Sequence, residues 1–456
     1  MKTVDTDSTI NGEPTSVDPR LKVLVVSLYH PELIRGGAQQ VAYELYQGLA
    51  ATEGIDATLL ASADQRWPSL FKSGARITGF DQRPGEYLFL SREYDHWWHR
   101  SGNVELVERY CQFLAETKPD VVHFHHFLTL GIDLLSATRR VLPDAKIVFT
   151  FHEFLSICNA NGQMVRTFDR SLCATASAVR CHQCFPNHSP ETFFMRENWL
   201  KVHFGAVDRF TVPSAFMIDF YARWGIPRQK LEHVTNGQRL PTPEPEAEPV
   251  APGPRKRFGF FGQLVDNKGV QVIFEAVTRL RMAGFTDFVV EINGDNLVYA
   301  TPEFRKRFED FMAEEEARPM EERNVFLNGP YSHDELPRRM KRVDWCIVPS
   351  VWWEIFGLVI SEAWAFGKPV IASDVGGMAE RIGHDRDGLL FAVGDGRALA
   401  ETMQRAVTEE GLWSKLRAGI RAPATREDMT AAMLRVYRGV GAAESAAQHS
   451  TATLGG

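Results

Sequence analysis

The sequence lacks long hydrophobic runs, is poor in cysteine and has no excess of basic residues. No uncharged apolar stretch among its 456 residues approaches the roughly 18 residues that a membrane span requires, and residues 1–20 are polar, without an apolar signal core. Six cysteines in a chain of this length exclude a disulfide scaffold. A net charge of −7 disfavours nucleic-acid binding, because that class usually carries a basic excess. We therefore expect a cytoplasmic protein with no nucleic-acid partner.

What the sequence does contain is an alternation of short apolar segments with amphipathic ones. Hydrophobic residues make up 44% and charged residues 24%, which are ordinary globular values, and the length suggests two or three domains. Runs rich in β-branched and aromatic residues predict buried strands, and helix-spaced apolar residues follow them. The predicted strands lie at 22–28, 56–61, 120–125 and 146–152, and the helices at 38–49, 104–116 and 132–141. This rhythm predicts an α/β fold with a parallel sheet covered on both faces.

The chain divides at a segment rich in proline and glutamate. Residues 238–256 contain six prolines, which exclude a helix interior or a central strand, so we interpret them as a linker. The rhythm then restarts, with strands predicted at 257–262, 288–294, 324–327, 344–349 and 369–373. The predicted order is a disordered N-terminus (1–20), a doubly wound domain (21–237), the linker, a second such domain (257–415), a helix returning to the first domain (416–440) and a disordered tail (441–456). Two such domains form a cleft between the carboxyl ends of their strands, where sheets of this kind bind ligands.

The strongest single motif is a pair of glutamates, Glu354 and Glu362, with seven residues between them. A helix is predicted at 358–366, beginning after Gly357, and its free backbone amides would form an anion site facing the cleft. If the intervening residues were helical, the two carboxylates would lie roughly 12 Å apart. That is too far for a paired acid and base but suits two ends of one elongated ligand. Glu354 also follows a buried strand and two tryptophans, where a solvated charge is unexpected.

Several further motifs occur in a fixed order around this pair. They are Gly36-Gly37-Ala38, His152-Glu153, Pro213-Ser214, Asn236-Gly237, Phe261-Gly262, Asn267-Lys268-Gly269, Gly294-Asp295, Gly376-Gly377 and Glu380. On these motifs the sequence resembles the family 4 glycosyltransferases of the GT-B fold between residues 21 and 382. The resemblance implies two Rossmann-like domains facing across a cleft. It also implies transfer of a sugar from a nucleotide-sugar donor (a UDP- or GDP-sugar) with retention of anomeric configuration.

The resemblance assigns roles to residues of the second domain. Glu354 should contact hydroxyl groups of the donor sugar, and Glu362 should accept hydrogen bonds from the ribose. Lys268 should stabilise the charge that builds up on the departing diphosphate, together with helix amides and without a cofactor required for catalysis. Further donor contacts are expected around Gly262, Phe356, Gly357 and Leu358.

One position departs from the family pattern. Gln263, also expected at the donor site, stands where the family usually has arginine, and a neutral amide cannot replace a bidentate cation on phosphate. Either Lys268 and the helix N-terminus suffice there, or another cation takes its place.

In the first domain, Gly36 and Gly37 would let the backbone approach a ligand, with a plain tight turn as the alternative. His152 would reach the donor sugar near its anomeric centre, and no carboxylate is nominated as a covalent nucleophile.

Four of the six cysteines fall within one irregular stretch, which we treat as an insert of residues 158–187. Cys181 and Cys184 form a C-x-x-C pair, and Cys158 and Cys173 precede it. In a cytoplasmic protein this arrangement favours a structural zinc site. Free thiols and a redox-active pair are the alternatives, an iron–sulfur cluster is chemically compatible, and no catalytic role is assigned.

The acceptor side is less clearly defined by the sequence. The aromatic segment 86–99, with Trp97 and Trp98, could stack on sugar rings or form an interface or core. A basic stripe at 338–342 could touch an anionic membrane, although a solvated face is the simpler explanation in an acidic protein. We expect a glycan or lipid-linked acceptor, as in polysaccharide or lipopolysaccharide biosynthesis, with at most peripheral contact at the inner face of a membrane. The alternatives are a non-catalytic nucleotide-sugar sensor or scaffold, another GT-B enzyme such as a nucleotide-sugar epimerase or glycan phosphorylase, and a zinc-dependent interaction module.

Overall fold

The computed structural model describes residues 20–64, 66–71, 74–91, 93–240 and 255–439. The expected disordered N-terminus up to residue 19, most of the predicted linker and the predicted tail lie outside the described residues. The described chain forms two large sheets, each with apolar cores on both of its faces, and one small ribbon. This is the doubly wound α/β architecture that the sequence predicts.

The N-terminal lobe contains the first large sheet. Its strands are β1 (Leu21–Ser27), β2 (Ile55–Ala63), β3 (Ile77–Gly79), β4 (Glu86–Leu90), β5 (Tyr94–Asp95), β6 (Arg100–Ser101), β7 (Val121–Phe124), β8 (Lys146–Thr150), β9 (Arg209–Val212) and β10 (Leu231–His233). Eight of them form the sheet in the order β10-β9-β8-β7-β1-β2-β4-β3, parallel except for β3, whereas β5 and β6 form the antiparallel ribbon. The continuous apolar run of β1 is explained by its central place in the sheet, because both faces of the strand are buried.

The described part of the N-terminal lobe contains six α-helices, of which α4 packs on α5 and not on the sheet. They are α1 (Gly37–Ala50), α2 (Val104–Thr117), α3 (Asp133–Val141), α4 (Ala178–Cys184), α5 (Pro190–Phe204) and α6 (Phe216–Trp224). Their starts follow local capping chemistry where the sequence offers it. The Asn103 side chain accepts from the backbone of α2, and the Ser189 side chain caps α5, which begins with proline.

The C-terminal lobe contains the second large sheet. Its strands are β11 (Arg257–Phe261), β12 (Val289–Asn293), β13 (Val325–Gly329), β14 (Trp345–Val348), β15 (Val370–Ser373) and β16 (Gly388–Phe391), all parallel and in the order β13-β12-β11-β14-β15-β16. Its helices are α7 (Val270–Met282), α8 (Pro302–Glu316), α9 (Leu336–Lys341), α10 (Leu358–Ala365), α11 (Gly376–Arg381), α12 (Gly396–Thr408) and α13 (Leu412–Gly419). The nine strands that the sequence predicts in the two lobes lie within two residues of the observed ones. No helix in the described ranges is long and apolar enough to cross a bilayer.

The last described helix, α14 (Arg426–Arg438), leaves the C-terminal lobe and packs on α1 of the N-terminal lobe. Arg426 Nε donates to Glu44 Oε2 at 2.6 Å, and the Glu44 side chain is only 6% exposed. At the other end of the helix, the Tyr437 hydroxyl lies 2.7 Å from His123 Nδ1. The crossing helix therefore ties the C-terminal part of the chain to the central strands of the first sheet.

Replacing Arg426 by methionine tests this attachment. The change leaves the buried Glu44 carboxylate without its cation, so we expect a loss of about 2–3 kcal/mol of stability and a lower thermal midpoint by circular dichroism. Arg438→Met removes an exposed arginine of the same helix and is the matched control. Equal midpoints for the two variants would contradict a stabilising role for the pair.

Candidate active site

The carboxyl ends of the neighbouring strands β11 and β14 bring two predicted donor residues into contact. Lys268 follows β11, Glu354 follows β14, and Lys268 Nζ lies 2.7 Å from Glu354 Oε2. Ser350 Oγ and Trp352 Nε1 donate to the same oxygen, each at 3.1 Å. Glu354 is only 7% exposed, so three donors fix its carboxylate in a buried setting. Its Oε1 atom has no hydrogen-bond partner within the described ranges and is free to accept from a ligand hydroxyl.

Two glycines allow the loop after β14 to pass close to its neighbours. Gly269, which follows Lys268 with φ 77°, would bring an added Cβ into collision with the carbonyl oxygen of Pro349. Gly376, at the start of α11 with φ 57°, would place a Cβ 2.6 Å from the carbonyl oxygen of Glu354. Both positions thus need a residue without a side chain. The motif residues Gly376 and Gly377 are therefore explained by the tight approach of the Glu354 loop, to which Gly377 N donates at 2.7 Å.

The N-terminus of α10 faces the cleft, as the sequence predicts. Gly357 precedes this helix with φ 70°. Arg381 Nη1 donates to the carbonyl oxygens of Phe356 and Gly357 at 2.9 and 3.0 Å, and Nη2 donates to Ser361 Oγ at 2.7 Å. The guanidinium also lies 3.8 Å from the centre of the Phe356 ring. These contacts turn the carbonyl groups back into the lobe, and the free amides of the first helical turn remain available to an anion.

Two helix N-termini meet across the cleft. Helix α1 begins at Gly37, directly after Gly36, and a Cβ at Gly37 would lie 3.8 Å from Leu358 Cδ1 at the start of α10. The predicted contact residues of the two lobes therefore face each other. Gly36 has an extended backbone, φ −173°, so its glycine identity is explained by the close Gln39 side chain and not by an unusual backbone conformation.

Glu362 lies on α10 and is half-buried. Residues 354–357 are not helical, so the helical spacing between Glu354 and Glu362 that the sequence allowed for is not observed. Desolvation raises the pKa of its carboxyl from 4.5 to about 7. The side chain acts electrostatically on Tyr331 and Cys346, but within the described chain no hydrogen bond or ion pair compensates its charge. Such a carboxylate is poised to accept hydrogen bonds from a hydroxyl-bearing ligand.

The N-terminal lobe contributes a row of histidines at the carboxyl ends of β7 and β8. His152 Nε2 lies 2.9 Å from His125 Nδ1, and the two rings stack at 5.1 Å. Burial holds the pKa of both imidazoles well below the ordinary value, so both are neutral at pH 7. His126 Nε2 lies 3.2 Å from Glu153 Oε1. No hydrogen bond or ion pair among the described residues joins His152 to Lys268 or Glu354 directly.

Polar contacts also join the lobes beside the cleft. Both Glu380 carboxylate oxygens accept backbone hydrogen bonds, from Ala215 N and Phe216 N, each at 2.8 Å. These amides belong to the first turn of α6, where a negative charge is favourable. Ser214 Oγ donates to the carbonyl oxygen of Ile355 at 2.6 Å. The motif residues Ser214 and Glu380 therefore act at the lobe interface.

Sequence reasoning missed three residues of this site, namely Ser350, Trp352 and Arg381. The first two stand four and two residues before Glu354, so a polar-residue search around the motif would have found them. Gln263, by contrast, is exposed after β11. Arg381 is not positioned to replace the cation that Gln263 lacks, because its guanidinium is bound to the carbonyl oxygens of Phe356 and Gly357. Desolvation also lowers the pKa of Arg381 to about 9.

Trp97 and Trp98 pack within the protein and do not form an open sugar platform. The Trp97 ring stacks on His188 with 3.8 Å between centroids, and Trp199 Nε1 donates to the Trp98 carbonyl oxygen at 2.8 Å. The interface or core interpretation of this segment is therefore favoured.

The four cysteines of the insert, Cys158, Cys173, Cys181 and Cys184, are free thiols. The described residues contain no set of three or more His, Cys, Asp or Glu side chains already arranged to hold a metal ion.

Two family models match the chain on either side of its middle. Residues 35–239 match the model described as Glycosyltransferase Family 4, and residues 255–409 match the model described as Glycosyl transferases group 1. The chain belongs to the glycosyltransferases of the GT-B fold, and the first match is consistent with family 4.

Individual relatives agree with this placement. A 2-deoxystreptamine glucosyltransferase from Streptomyces kanamyceticus is 34% identical over 162 residues, which cover 35% of this chain and 39% of that protein. The glycogen synthase of Mycobacterium tuberculosis is 24% identical over 422 residues, 90% of each chain. The crystal structure of Anabaena HepE in complex with UDP and glucose has a TM-score of 0.60 at 16% identity, covering 92% of this chain and 100% of that one, and it shows the shared fold. The chain spans only 39% of the length of the first of these relatives.

The raised pKa of Glu362 predicts a pH-dependent stability difference. The unfolded chain ionises this carboxyl near 4.5 and the folded chain near 7, so the carboxyl increasingly destabilises the folded state as the pH rises through that window. Glu362→Gln should therefore melt above the wild type at pH 8, and the difference should shrink as the pH falls towards 4.5. Thermal unfolding at several pH values measures it, with the exposed Glu314→Gln as control. A lower melting temperature for Glu362→Gln at every pH would mean that the carboxylate has a stabilising partner.

Proposed function

We propose that the protein transfers a sugar from a nucleotide-sugar donor, a UDP- or GDP-sugar, to a glycan or lipid-linked acceptor with retention of anomeric configuration. The observation that carries this proposal is the contact between Lys268 and Glu354. These side chains are 86 positions apart in the sequence, yet they meet beside the free N-terminus of α10. A cation, a carboxylate and unpaired amides in one cleft suit a ligand with a diphosphate and a sugar. The fold neighbour HepE was solved with UDP-glucose, which supports the donor class.

In this proposal the C-terminal lobe holds the donor by its two ends. Glu362 accepts from the ribose hydroxyls, and Glu354 accepts from the sugar through its free Oε1. The amides around Gly357 and Leu358 and the Lys268 ammonium bind the diphosphate. This arrangement uses the uncompensated Glu362 carboxylate, which has no structural partner in the described chain.

The proposed transfer step depends on stabilising the negative charge that develops on the leaving diphosphate. The bond between the anomeric carbon and the diphosphate oxygen breaks while the acceptor oxygen bonds to the same face of that carbon, and the acceptor proton passes to the leaving diphosphate. Lys268 and the α10 amides stabilise the growing negative charge, so we propose that no metal is required for catalysis. Neutral His152, held by His125, faces the sugar without placing a second positive charge beside an oxocarbenium-like centre.

The acceptor is expected at the mouth of the cleft, where polar and aromatic groups follow β1 and β2. Arg66 binds the Asp64 carboxylate at 2.6 Å and lies 4.7 Å from the centre of the Trp67 ring. Tyr29 donates to Asp64 at 3.3 Å, and the exposed Tyr299 of the opposite lobe acts electrostatically on Arg66. Planar rings and a guanidinium on both sides of an opening suit a glycan chain. We propose polysaccharide or lipopolysaccharide assembly as the setting.

A second candidate function is a non-catalytic nucleotide-sugar sensor. The observation in its favour is Gln263, a neutral and exposed side chain where the resembled family has a cation. Binding without turnover would be the signature of this alternative.

A thermal-shift panel with UDP, GDP, ADP, CMP and their common sugar conjugates tests donor binding. We expect stabilisation by one base family in the wild type and a loss of at least tenfold in affinity in Glu362→Ala, because the ribose contact is removed. Glu314→Ala, which removes an exposed glutamate of α8, should respond like the wild type. No stabilisation by any nucleotide would contradict the donor site itself.

Lys268→Met tests the catalytic role of the ammonium once a donor is known. We expect kcat for sugar transfer or donor hydrolysis to fall by about 10²–10³-fold, the usual effect of removing one electrostatic contact to a developing anion. Lys306→Met removes an exposed lysine and serves as the control. Unchanged turnover in Lys268→Met would remove this residue from the mechanism, and tight binding with no turnover in the wild type would favour the sensor.

A further inference from the structure

The proposed donor site has little net positive charge to offer a diphosphate. Lys268 Nζ lies 2.7 Å from Glu354 Oε2, so the two side chains together are neutral. Gln263 carries no charge, and Arg381 is bound to carbonyl oxygens. A nucleoside diphosphate is multiply charged, and its negative charge grows as the bond to the sugar breaks. A second cation near the first turn of α10 would therefore complete the site.

Two helices begin face to face at this point. Gly37 starts α1 and Leu358 starts α10, and a Cβ at Gly37 would lie 3.8 Å from Leu358 Cδ1. Neither helix has an acidic residue in its first turn or a side chain that caps it. The positive ends of two helix dipoles therefore meet without a negative group in either first turn. The gap favours an anion, and the diphosphate is the anion that the proposed reaction places there.

Arg35 stands immediately before this gap. It precedes Gly36, the residue before α1, and its side chain is exposed. No hydrogen bond, ion pair or ring contact joins its guanidinium to any residue in the described ranges. The carboxylate of Glu32, in the same loop, is already paired with Arg83 at 2.6 Å. Because arginine stays protonated in proteins, Arg35 brings a positive charge to the start of α1 that no described residue compensates.

The backbone that carries Arg35 is anchored to the first sheet. The amides of Leu33 and Ile34 both donate to the His30 carbonyl oxygen, at 2.9 and 3.0 Å. His30 is fully buried, and its Nε2 lies 2.9 Å from Oε2 of Glu86, the first residue of β4. The loop is therefore held in place up to the residue before Arg35, whereas the arginine side chain is free to turn towards a ligand.

The dimensions of the chain allow Arg35 to reach the start of α10. Its Cα atom lies within about 8 Å of the Gly37 Cα atom, since two trans peptide steps separate them. An extended arginine side chain spans a comparable distance, roughly 7 Å. A phosphate bound by the α10 amides next to Leu358 therefore lies within range of the guanidinium, which approaches from the lobe opposite to that of Lys268.

We propose that Arg35 binds the β-phosphate of the donor and supplies, from the N-terminal lobe, the positive charge that Gln263 lacks. This inference rests on the proposed function, since it concerns the same donor. The guanidinium would pair with two phosphate oxygens at once, which an amide cannot do. It keeps its proton and forms no covalent bond, and it stabilises the negative charge that the leaving diphosphate gains. Because Arg35 and Lys268 belong to different lobes, full stabilisation of the diphosphate requires both lobes to face it.

Isothermal titration calorimetry of the full chain with UDP, GDP and ADP, and with UMP, GMP and AMP, tests the contact. For the base that the wild type binds, Arg35→Met should weaken diphosphate binding by about tenfold or more, the usual effect of losing a hydrogen bond between charged groups. Binding of the monophosphate should stay unchanged, because it lacks the β-phosphate. Arg180→Met, which removes an exposed arginine of α4, should behave like the wild type. Equal diphosphate affinities of Arg35→Met and the wild type would overturn the proposal, as would an equal loss for both nucleotides.

Moving the charge tests the compensation itself. Arg35→Met should lower kcat for sugar transfer or donor hydrolysis by about 10²-fold, whereas its thermal midpoint should match that of the wild type, because no described residue pairs with Arg35. In the double variant Arg35→Met/Gln263→Arg, the cation returns at the position where the resembled family has it, and kcat should recover by about tenfold or more. A loss that Gln263→Arg does not recover would overturn the compensation, as would unchanged turnover in the single variant.

These results separate the role of Arg35 from the proposed function. A wild type that binds no nucleotide contradicts the donor site and this proposal together. A wild type that binds and turns over a donor, with an Arg35→Met variant that does so equally well, contradicts only the role of Arg35.

Discussion

Burial of the Glu354 carboxylate is the constraint on which the cleft depends. A charged carboxylate at this depth is stable only while several donors reach it, and Lys268, Ser350 and Trp352 supply them from two different loops. The backbone of the same residue needs space as well, which the glycines at the start of α11 provide. The loops after β11, β14 and β15 are thereby fixed relative to one another before a ligand arrives. Positioning of this kind is what an electrostatic catalyst requires.

The loop that carries Glu354 also forms the contact between the lobes. Trp353 stacks on Phe216 of α6 with 6.1 Å between centroids, and the Ile355 carbonyl accepts from Ser214. The residues on either side of Glu354 therefore touch the N-terminal lobe. A rotation of one lobe against the other would displace this loop, so the relative position of the lobes and the geometry of the candidate site are coupled. Helix α14 limits such a rotation on the far side, because it is bound to α1 by the buried pair of Arg426 and Glu44.

The pattern of apolar residues and glycines along the chain predicted those features of the fold that depend only on neighbouring residues. The buried parallel strands stand out because both faces are apolar, and the start of α10 stands out because Gly357 permits a left-handed turn. The contact of Lys268 with Glu354 could not be derived from spacing, since it requires β11 and β14 to be neighbours in space. Arg381 escaped notice because guanidinium bonds to carbonyl groups leave no sequence motif. Seven of the sixteen described strands were not predicted, namely β3, β4, β5, β6, β9, β10 and β16. Among them, β3, β5 and β6 are only two or three residues long and carry no long apolar run.

Two arginines with bonded guanidinium groups, the buried Arg196 and the half-buried Arg381, bear on how this protein distributes positive charge. Arg381 and Arg196 each hold a loop through its carbonyl oxygens, so both guanidinium groups already serve a structural purpose. In the C-terminal lobe, Lys268 is the cation that can turn towards a ligand, and the carboxylate proposed to bind the sugar also holds it in place. In the proposed complex, sugar binding at Glu354 and phosphate binding at Lys268 are therefore linked through one hydrogen bond, because a shift of either side chain moves the other.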